Sequence, residues 1–293
     1  MAELSWRPVT LDDLPSLVTL AQACLDHDGG MPSLATPQTV AGLLVGEVGI
    51  AGYDELDDLV AVAALSRGEE DALVASGLVH PSYRRQGFGE QLVAWCREHA
   101  DGELVHVVAE TMSPEAESLF GSSGLRRTRA EAIMRHGLTH VSRIPLPDGL
   151  ESLAYRPETM EAFFTAYRLS FAERPGFSDT AAAEWHASLA ADPEFRPDDS
   201  RVALDGDGVP AGYVVMSGEW IDQVGVVPAW RGRRLGAHLT VRCLTVLRRE
   251  DADFAWLAVT LGNPARVLYE RLGFELYGTR ARYVDPFSAQ RGG

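Results

Sequence analysis

The chain has 293 residues, 46% hydrophobic and 23% charged, with a net charge of −16 at pH 7. That length favours about two domains, each able to bury its own core, and the acidic balance argues against a nucleic-acid backbone as partner because like charges repel. All 26 basic residues are Arg, and the absence of Lys excludes a pyridoxal Schiff base, a Walker-type phosphate loop and a kinase lysine.

In chain order, an extended piece near Leu4 to Val9 precedes a helix from Leu11 to about Cys24, whose Leu14, Leu17, Val18, Ala21 and Leu25 share one face. Strands are expected at Val48 to Tyr53, Asp58 to Ser66 and Leu73 to Val79. A helix follows from Gly87 to His99, then a strand from Leu104 to Ala109, a helix from Pro114 to Ser122 and a strand from Glu131 to His136. The Pro-bearing stretch 143–150 reads as a linker. After it come helices at Pro157 to Phe171 and Thr180 to Ala190, then strands at Ser200 to Leu204, Gly212 to Ser217 and Trp220 to Val226. A helix from Gly236 to Arg249, a strand from Ala255 to Thr260, a helix from Pro264 to Leu272 and a strand from Tyr277 to Val284 complete the order. Hairpin-length gaps early and strand-helix-strand crossovers late predict an α/β protein with a mixed sheet in each half. The expected domains are 1–142 and 151–293.

The halves are copies. Pro81 and Pro228, Arg84 and Arg231, Gly89 and Gly236, and Leu92 and Leu239 are each separated by 147 positions, and such an internal repeat sets the architecture. Cys24, Cys96 and Cys243 show no CxxC spacing, so they read as packing residues, and no metal site is expected. No run reaches the roughly 18 apolar residues of a membrane helix. The start lacks the pattern of a signal peptide, so the expected compartment is the cytoplasm. Monomer and homodimer both remain open.

The repeated segment is a strand, a Gly/Arg turn and a helix. Unpaired amides at a helix start, with the helix dipole behind them, bind phosphate. The first copy offers Arg84, Arg85, Gln86, Gly87, Phe88 and Gly89; the second offers Arg231, Gly232, Arg233, Arg234, Leu235 and Gly236. Arg234 stands where the first copy has Gly87, and it is expected to narrow the approach to the phosphate.

Each loop follows a Val-x-Pro strand end, Val79 to Pro81 and Val226 to Pro228, and the second half continues to Asn263-Pro-Ala-Arg-Val-Leu-Tyr269-Glu-Arg-Leu-Gly-Phe274. These segments resemble the GNAT superfamily of acetyl-CoA-dependent N-acyltransferases, and the two-domain layout is similar to that of mycothiol synthase and related tandem proteins. The resemblance implies acetyl-CoA as cosubstrate, held by Val79, Val224, Val226, Asn263 and both loops. It implies direct transfer of the acetyl group to a primary amine of a small molecule, with Tyr269 as proton donor to the leaving sulfur. Phe120, the counterpart of Tyr269 in the first half, has no hydroxyl. Catalysis is therefore expected in the C-terminal half, with a structural or acetyl-CoA-retaining role for the N-terminal half. The base is expected on the strand before the second loop, at Asp222 or else Glu219; Ala75 replaces Asp222 in the first half. Acceptor specificity is expected near Phe163, Tyr167, Phe171, Arg174, Phe177 and Trp185. The alternatives are acetylation of the amine of a thiol precursor, as in mycothiol synthesis, and a non-catalytic acyl-CoA sensor.

Overall fold

In the computed structural model, which describes residues 3–68, 71–173, 177 and 180–286, the first half begins with β1 (Ser5–Pro8). A single 3₁₀ turn leads into α1 (Leu14–Asp28), which runs four residues beyond the sequence expectation and stops at Gly29. Its buried residues Leu17, Leu20, Ala21, Cys24 and Leu25 pack on Ala51, Tyr53 and Val62. The short helix α2 (Pro37–Val40), continued by a wider turn over Ala41–Val45, has no counterpart in the sequence reading, because its apolar pattern is too short to show a period. Next come β2 (Val48–Tyr53), β3 (Leu59–Arg67), β4 (Leu73–Val79), α3 (Phe88–His99), β5 (Val105–Ala109), α4 (Pro114–Ser122) and β6 (Arg126–His136).

The second half repeats this order with β7 (Leu150–Ala154), α5 (Met160–Phe171), α6 (Ala182–Ala191), β8 (Arg201–Asp205) and β9 (Pro210–Ser217). Then follow β10 (Trp220–Val226), α7 (Leu235–Arg249), β11 (Ala255–Thr260), α8 (Ala265–Arg271) and β12 (Glu275–Asp285). Strand β7 begins at Leu150, inside the stretch read as a linker, and pairs antiparallel with β8 from Leu150↔Asp205 to Ala154↔Arg201. Among the described residues no helix is long and apolar enough to cross a membrane.

The chain forms two units, residues 1–133 with 277–293, and residues 134–276. They differ from the contiguous halves 1–142 and 151–293, because the chain changes unit within β6 and again at the start of β12. In unit 1 the strand order is β1-β2-β3-β4-β5-β12-β6. Strand β12 pairs antiparallel with β5 from Ala281↔Ala109 to Asp285↔Val105, and Tyr283 packs against Phe120 at 4.9 Å. The buried Asp285 carboxylate accepts from Arg97 on α3 at 2.6 Å. In unit 2 the order is β11-β10-β9-β8-β7, with Phe163, Phe164, Trp185 and Leu189 packed on Val202, Tyr213 and Val215. Most of each half's last strand, β6 and β12, therefore lies in unit 1, with β12 between β5 and β6. Strand periodicity specifies a face, not a partner.

Candidate active site

Each loop connects its strand to the following helix by the same backbone path, with two residues in the left-handed region. In unit 1 these are Arg85 (φ 61) and Gly87 (φ 88); in unit 2 they are Gly232 (φ 75) and Arg234 (φ 66). The glycine has moved from the second position to the first, and Arg takes the other place each time. Arg234 thus holds the left-handed backbone conformation that Gly87 holds in the first loop. A Cβ on Gly87 or Gly232 would meet nothing within 4 Å, so only the backbone angle favours glycine there. Of the later glycines only Gly89 answers to packing, because a Cβ there would lie 2.7 Å from Leu119 on α4, whereas one on Gly236 would make an ordinary contact at 3.5 Å with Leu268 on α8.

The leading arginine of each loop folds back onto its own strand end, largely buried at Arg84 and exposed at Arg231. Arg84 Nε donates to the Val79 carbonyl at 3.2 Å, and its two terminal nitrogens donate to the Asp28 carboxylate at 2.9 and 2.5 Å. Arg231 Nε donates to the Val226 carbonyl at 3.2 Å, while its terminal nitrogens reach Glu173 at 2.8 Å and the Ser170 carbonyl at 3.1 Å. These guanidinium groups tie each loop to the C-terminal end of a helix, α1 in unit 1 and α5 in unit 2. Sequence reasoning missed Asp28 and Glu173, which lie more than 50 positions from their partners. Arg233 lies over the Trp230 ring at 4.8 Å, and Leu235 and Phe88 are buried, so both serve the core.

Behind each loop the parallel strands part. β4 pairs with β5 only from Leu73↔Val105 to Ala75↔Val107, and β10 meets β11 at Trp220↔Trp256. The later residues of each strand, with Val79 in unit 1 and Val224 and Val226 in unit 2, run on beyond this pairing, while the Val79 and Val226 carbonyls accept from Arg84 and Arg231. In unit 1 the opening leads into a cavity of about 510 Å³, lined by Val79, Arg84, Arg85, Gly87, Phe88 and Gly89 together with Ser76 and Phe120. Ligand sites typically occupy about 300–1,000 Å³. Asn263 Oδ1 accepts from Ala265 N at 2.9 Å and so starts α8. In unit 1 Ser113 performs the same task for α4, accepting from Ala116 N at 3.1 Å.

Tyr269 sits on α8, 8% exposed, with its ring against Phe274 at 5.9 Å. Burial pushes its phenol up to about 12, so it holds its proton throughout the neutral range. Asp222 is an exposed residue of β10, and Glu219 is exposed in the turn between β9 and β10. Glu219 lies seven residues before Val226, about 23 Å along an extended strand, against about 13 Å for Asp222. Tyr213 on β9 is fully buried, and burial raises its phenol well above the usual value, with smaller pushes in the same direction from Tyr167, Asp222 and Tyr269. Sequence reasoning missed Tyr213. Phe163 and Trp185 belong to the core beneath α5 and α6, and Tyr167 stacks on Trp185 at 5.2 Å. Phe177 lies 5.5 Å from Tyr167, and Arg174 falls outside the described residues. Burial raises the thiols of Cys24, Cys96 and Cys243 to about 11, 12 and 12, leaving them protonated. Among the described residues no group of three or more His, Cys, Asp or Glu could hold a metal ion.

Comparison with known proteins matches two separate stretches of the chain. Residues 41–142 match the acetyltransferase (GNAT) domain model, and residues 159–274 match the acetyltransferase (GNAT) family model. The chain is 31% identical over 299 residues to the mycothiol acetyltransferase of Salinispora arenicola, covering 92% of both chains. It is also 31% identical to that of Thermobifida fusca, covering 93% of this chain and 94% of the relative. In fold it is similar to a GCN5-related N-acetyltransferase from Sphaerobacter thermophilus, with a TM-score of 0.73, 23% identity and coverage of 97% and 96%. A tandem GNAT protein from the clavulanic acid biosynthesis pathway aligns with a TM-score of 0.60, 18% identity and coverage of 97% and 98%. Two loops of one backbone path, each set at the mouth of parting strands and each in a matched domain, make this chain a tandem member of the GNAT acetyltransferase family, an acyltransferase enzyme.

Proposed function

We propose that unit 2 transfers the acetyl group of acetyl-CoA to the primary amine of a small molecule, and that unit 1 retains a CoA site without turning over. The carrying observation is the buried, protonated phenol of Tyr269 on the helix that follows the parted strands; unit 1 has Phe120 in its place. The loop amides hold the pyrophosphate, and Val224 and Val226 offer main-chain groups to the pantetheine arm. Asp222 takes a proton from the acceptor nitrogen, directly or through a water, and the nitrogen attacks the thioester carbon. The C–S bond breaks and the electron pair goes to sulfur. An ordinary thiol loses its proton near about 8.5, well below the phenol, so Tyr269 stabilises the thiolate by donating a hydrogen bond and keeps its own proton. The proton released by the amine balances the thiol of the product.

The net charge of −16 suits a cationic acceptor. The relatives named mycothiol acetyltransferase extend over nearly the whole chain, which supports including a mycothiol-precursor amine among the acceptors tried. Thiol release from acetyl-CoA across a panel of primary amines tests the proposal. Wild type turns over, and Tyr269→Phe lowers kcat about 100-fold, within the range for loss of one hydrogen-bond donor to the charge that develops in the transition state, with little change in KM for acetyl-CoA. Equal rates in both proteins, or no turnover with any amine, would contradict it.

A further inference from the structure

The two sheets differ most beside Asp222. Ile221 lies opposite Met216 and Gln223 opposite Val215, so β10 carries one extra residue, Asp222, against β9. The matching ladder of unit 1 runs without a shift from Ala61↔Val79 to Arg67↔Leu73. An inserted residue turns its neighbour to the other face of the sheet. Gln223 thereby joins Val215 and Tyr213 on the face that α5 and α6 cover. There the Tyr213 hydroxyl donates to Gln223 Oε1 at 2.9 Å, and Gln223 Nε2 donates to Asp222 Oδ2 at 3.3 Å. Chemistry sets the direction of this chain. An ionised carboxylate only accepts, so the amide must offer its NH₂ to Asp222 and its oxygen to the phenol.

The fold itself does not require the pair. Matched through the strand ladders, Tyr213 corresponds to Val62, Gly225 to Leu78, Gln223 to Ser76 and Ile221 to Ala75, so Asp222, which the sequence offset sets against Ala75, is the inserted residue and has no counterpart in unit 1. Unit 1 packs α1 on Val62, an apolar side chain, where unit 2 has the Tyr213 phenol. In unit 2 a phenol is buried, which costs free energy unless it is hydrogen-bonded. Residue 225 is also kept without a Cβ, because one there would overlap the Tyr213 ring and crowd Ser170. Three positions and a bulge thus serve to place one amide beside one carboxylate.

We propose that Tyr213 and Gln223 are positioning residues for acetyl transfer, acting through the hydrogen-bonded chain Tyr213–Gln223–Asp222 to hold the carboxylate toward the acceptor amine. The inference rests on Asp222 being the base. The test is thiol release from acetyl-CoA with the amine that wild type acetylates fastest, comparing Tyr213→Phe and Gln223→Met, each alone and each combined with Asp222→Asn. Each single variant is expected to lose about tenfold in kcat, below the range for removing the base itself, with KM for acetyl-CoA within about twofold. Neither is expected to lose anything further in the Asp222→Asn background, because residues acting through one group are not additive. An unchanged kcat in Tyr213→Phe, or the same loss with and without the Asp222 carboxylate, overturns the positioning role alone. Full activity in Asp222→Asn overturns the base and the positioning role together. Melting curves accompany each variant, and the two substitutions lie on different strands, so misfolding of one leaves the other to decide.

Discussion

At the scale of single residues, the loops show how one backbone path accepts two different sequences. A side chain in the left-handed region costs about 1 kcal/mol relative to glycine. Each copy bears that cost once, at Arg85 or at Arg234. Gly87→Ala is therefore expected to destabilise the protein by about 1 kcal/mol, and Arg234→Gly to cost nothing or to stabilise slightly, as measured by denaturant unfolding. A second contrast lies in the braces. The side chains of Arg84 and Asp28 are 12% and 4% exposed, whereas those of Arg231 and Glu173 are 47% and 66% exposed. Removing one partner of a buried pair strands a charge, so Asp28→Asn is expected to cost about 3 kcal/mol. Glu173→Gln breaks an equivalent but solvated pair and is expected to cost less than about 1 kcal/mol. Similar losses in the two variants would contradict this reading of burial.

At the scale of elements, several turns and helix starts depend on neutral histidines. His80 Nδ1 accepts from Ser82 N, and His136 Nδ1 accepts from Leu138 N. Burial holds His80, His136 and His186 below the usual imidazole value. Protonation then favours the unfolded chain, so the stability these rings contribute is complete above about pH 6.5 and is lost as pH falls through that value. Burial alone would raise Asp28 and Glu131, but Arg84 in one case and Arg280 with Arg129 in the other hold them below the ordinary carboxylate range. Their contribution is complete above about pH 4 and is lost below it. Melting temperature is expected to fall in two stages, between about pH 7 and 5.5 and again below about pH 4; a flat profile from pH 7 to 5 would contradict the histidine assignment. Local periodicity made most of these elements legible: β2, β4, β10, β11 and α4 have the bounds read from the sequence. Helix α2 and strand β7 were not legible, one being too short and the other masked by neighbouring prolines.

At the scale of the whole molecule, duplication explains what the sequence discloses and what it hides. The repeat displays both Gly/Arg loops and marks the half that carries Tyr269, because matched positions can be compared by subtraction. It cannot display the placement of most of β12 in unit 1, since strand periodicity names a face and not a partner. Nor can it display the bulge at Asp222, where one extra residue is visible only once the ladder is drawn. Tyr213 reads as an ordinary strand aromatic until its hydroxyl is seen to meet Gln223. The large cavity of unit 1 and the phenol of unit 2 support two CoA sites of which one is productive. A crystal structure of the protein with CoA tests this most directly. The account predicts CoA in both units and, in unit 2, a sulfur within about 3.5 Å of the Tyr269 hydroxyl; a unit 2 that binds no CoA, or holds the sulfur out of reach of that hydroxyl, would contradict it.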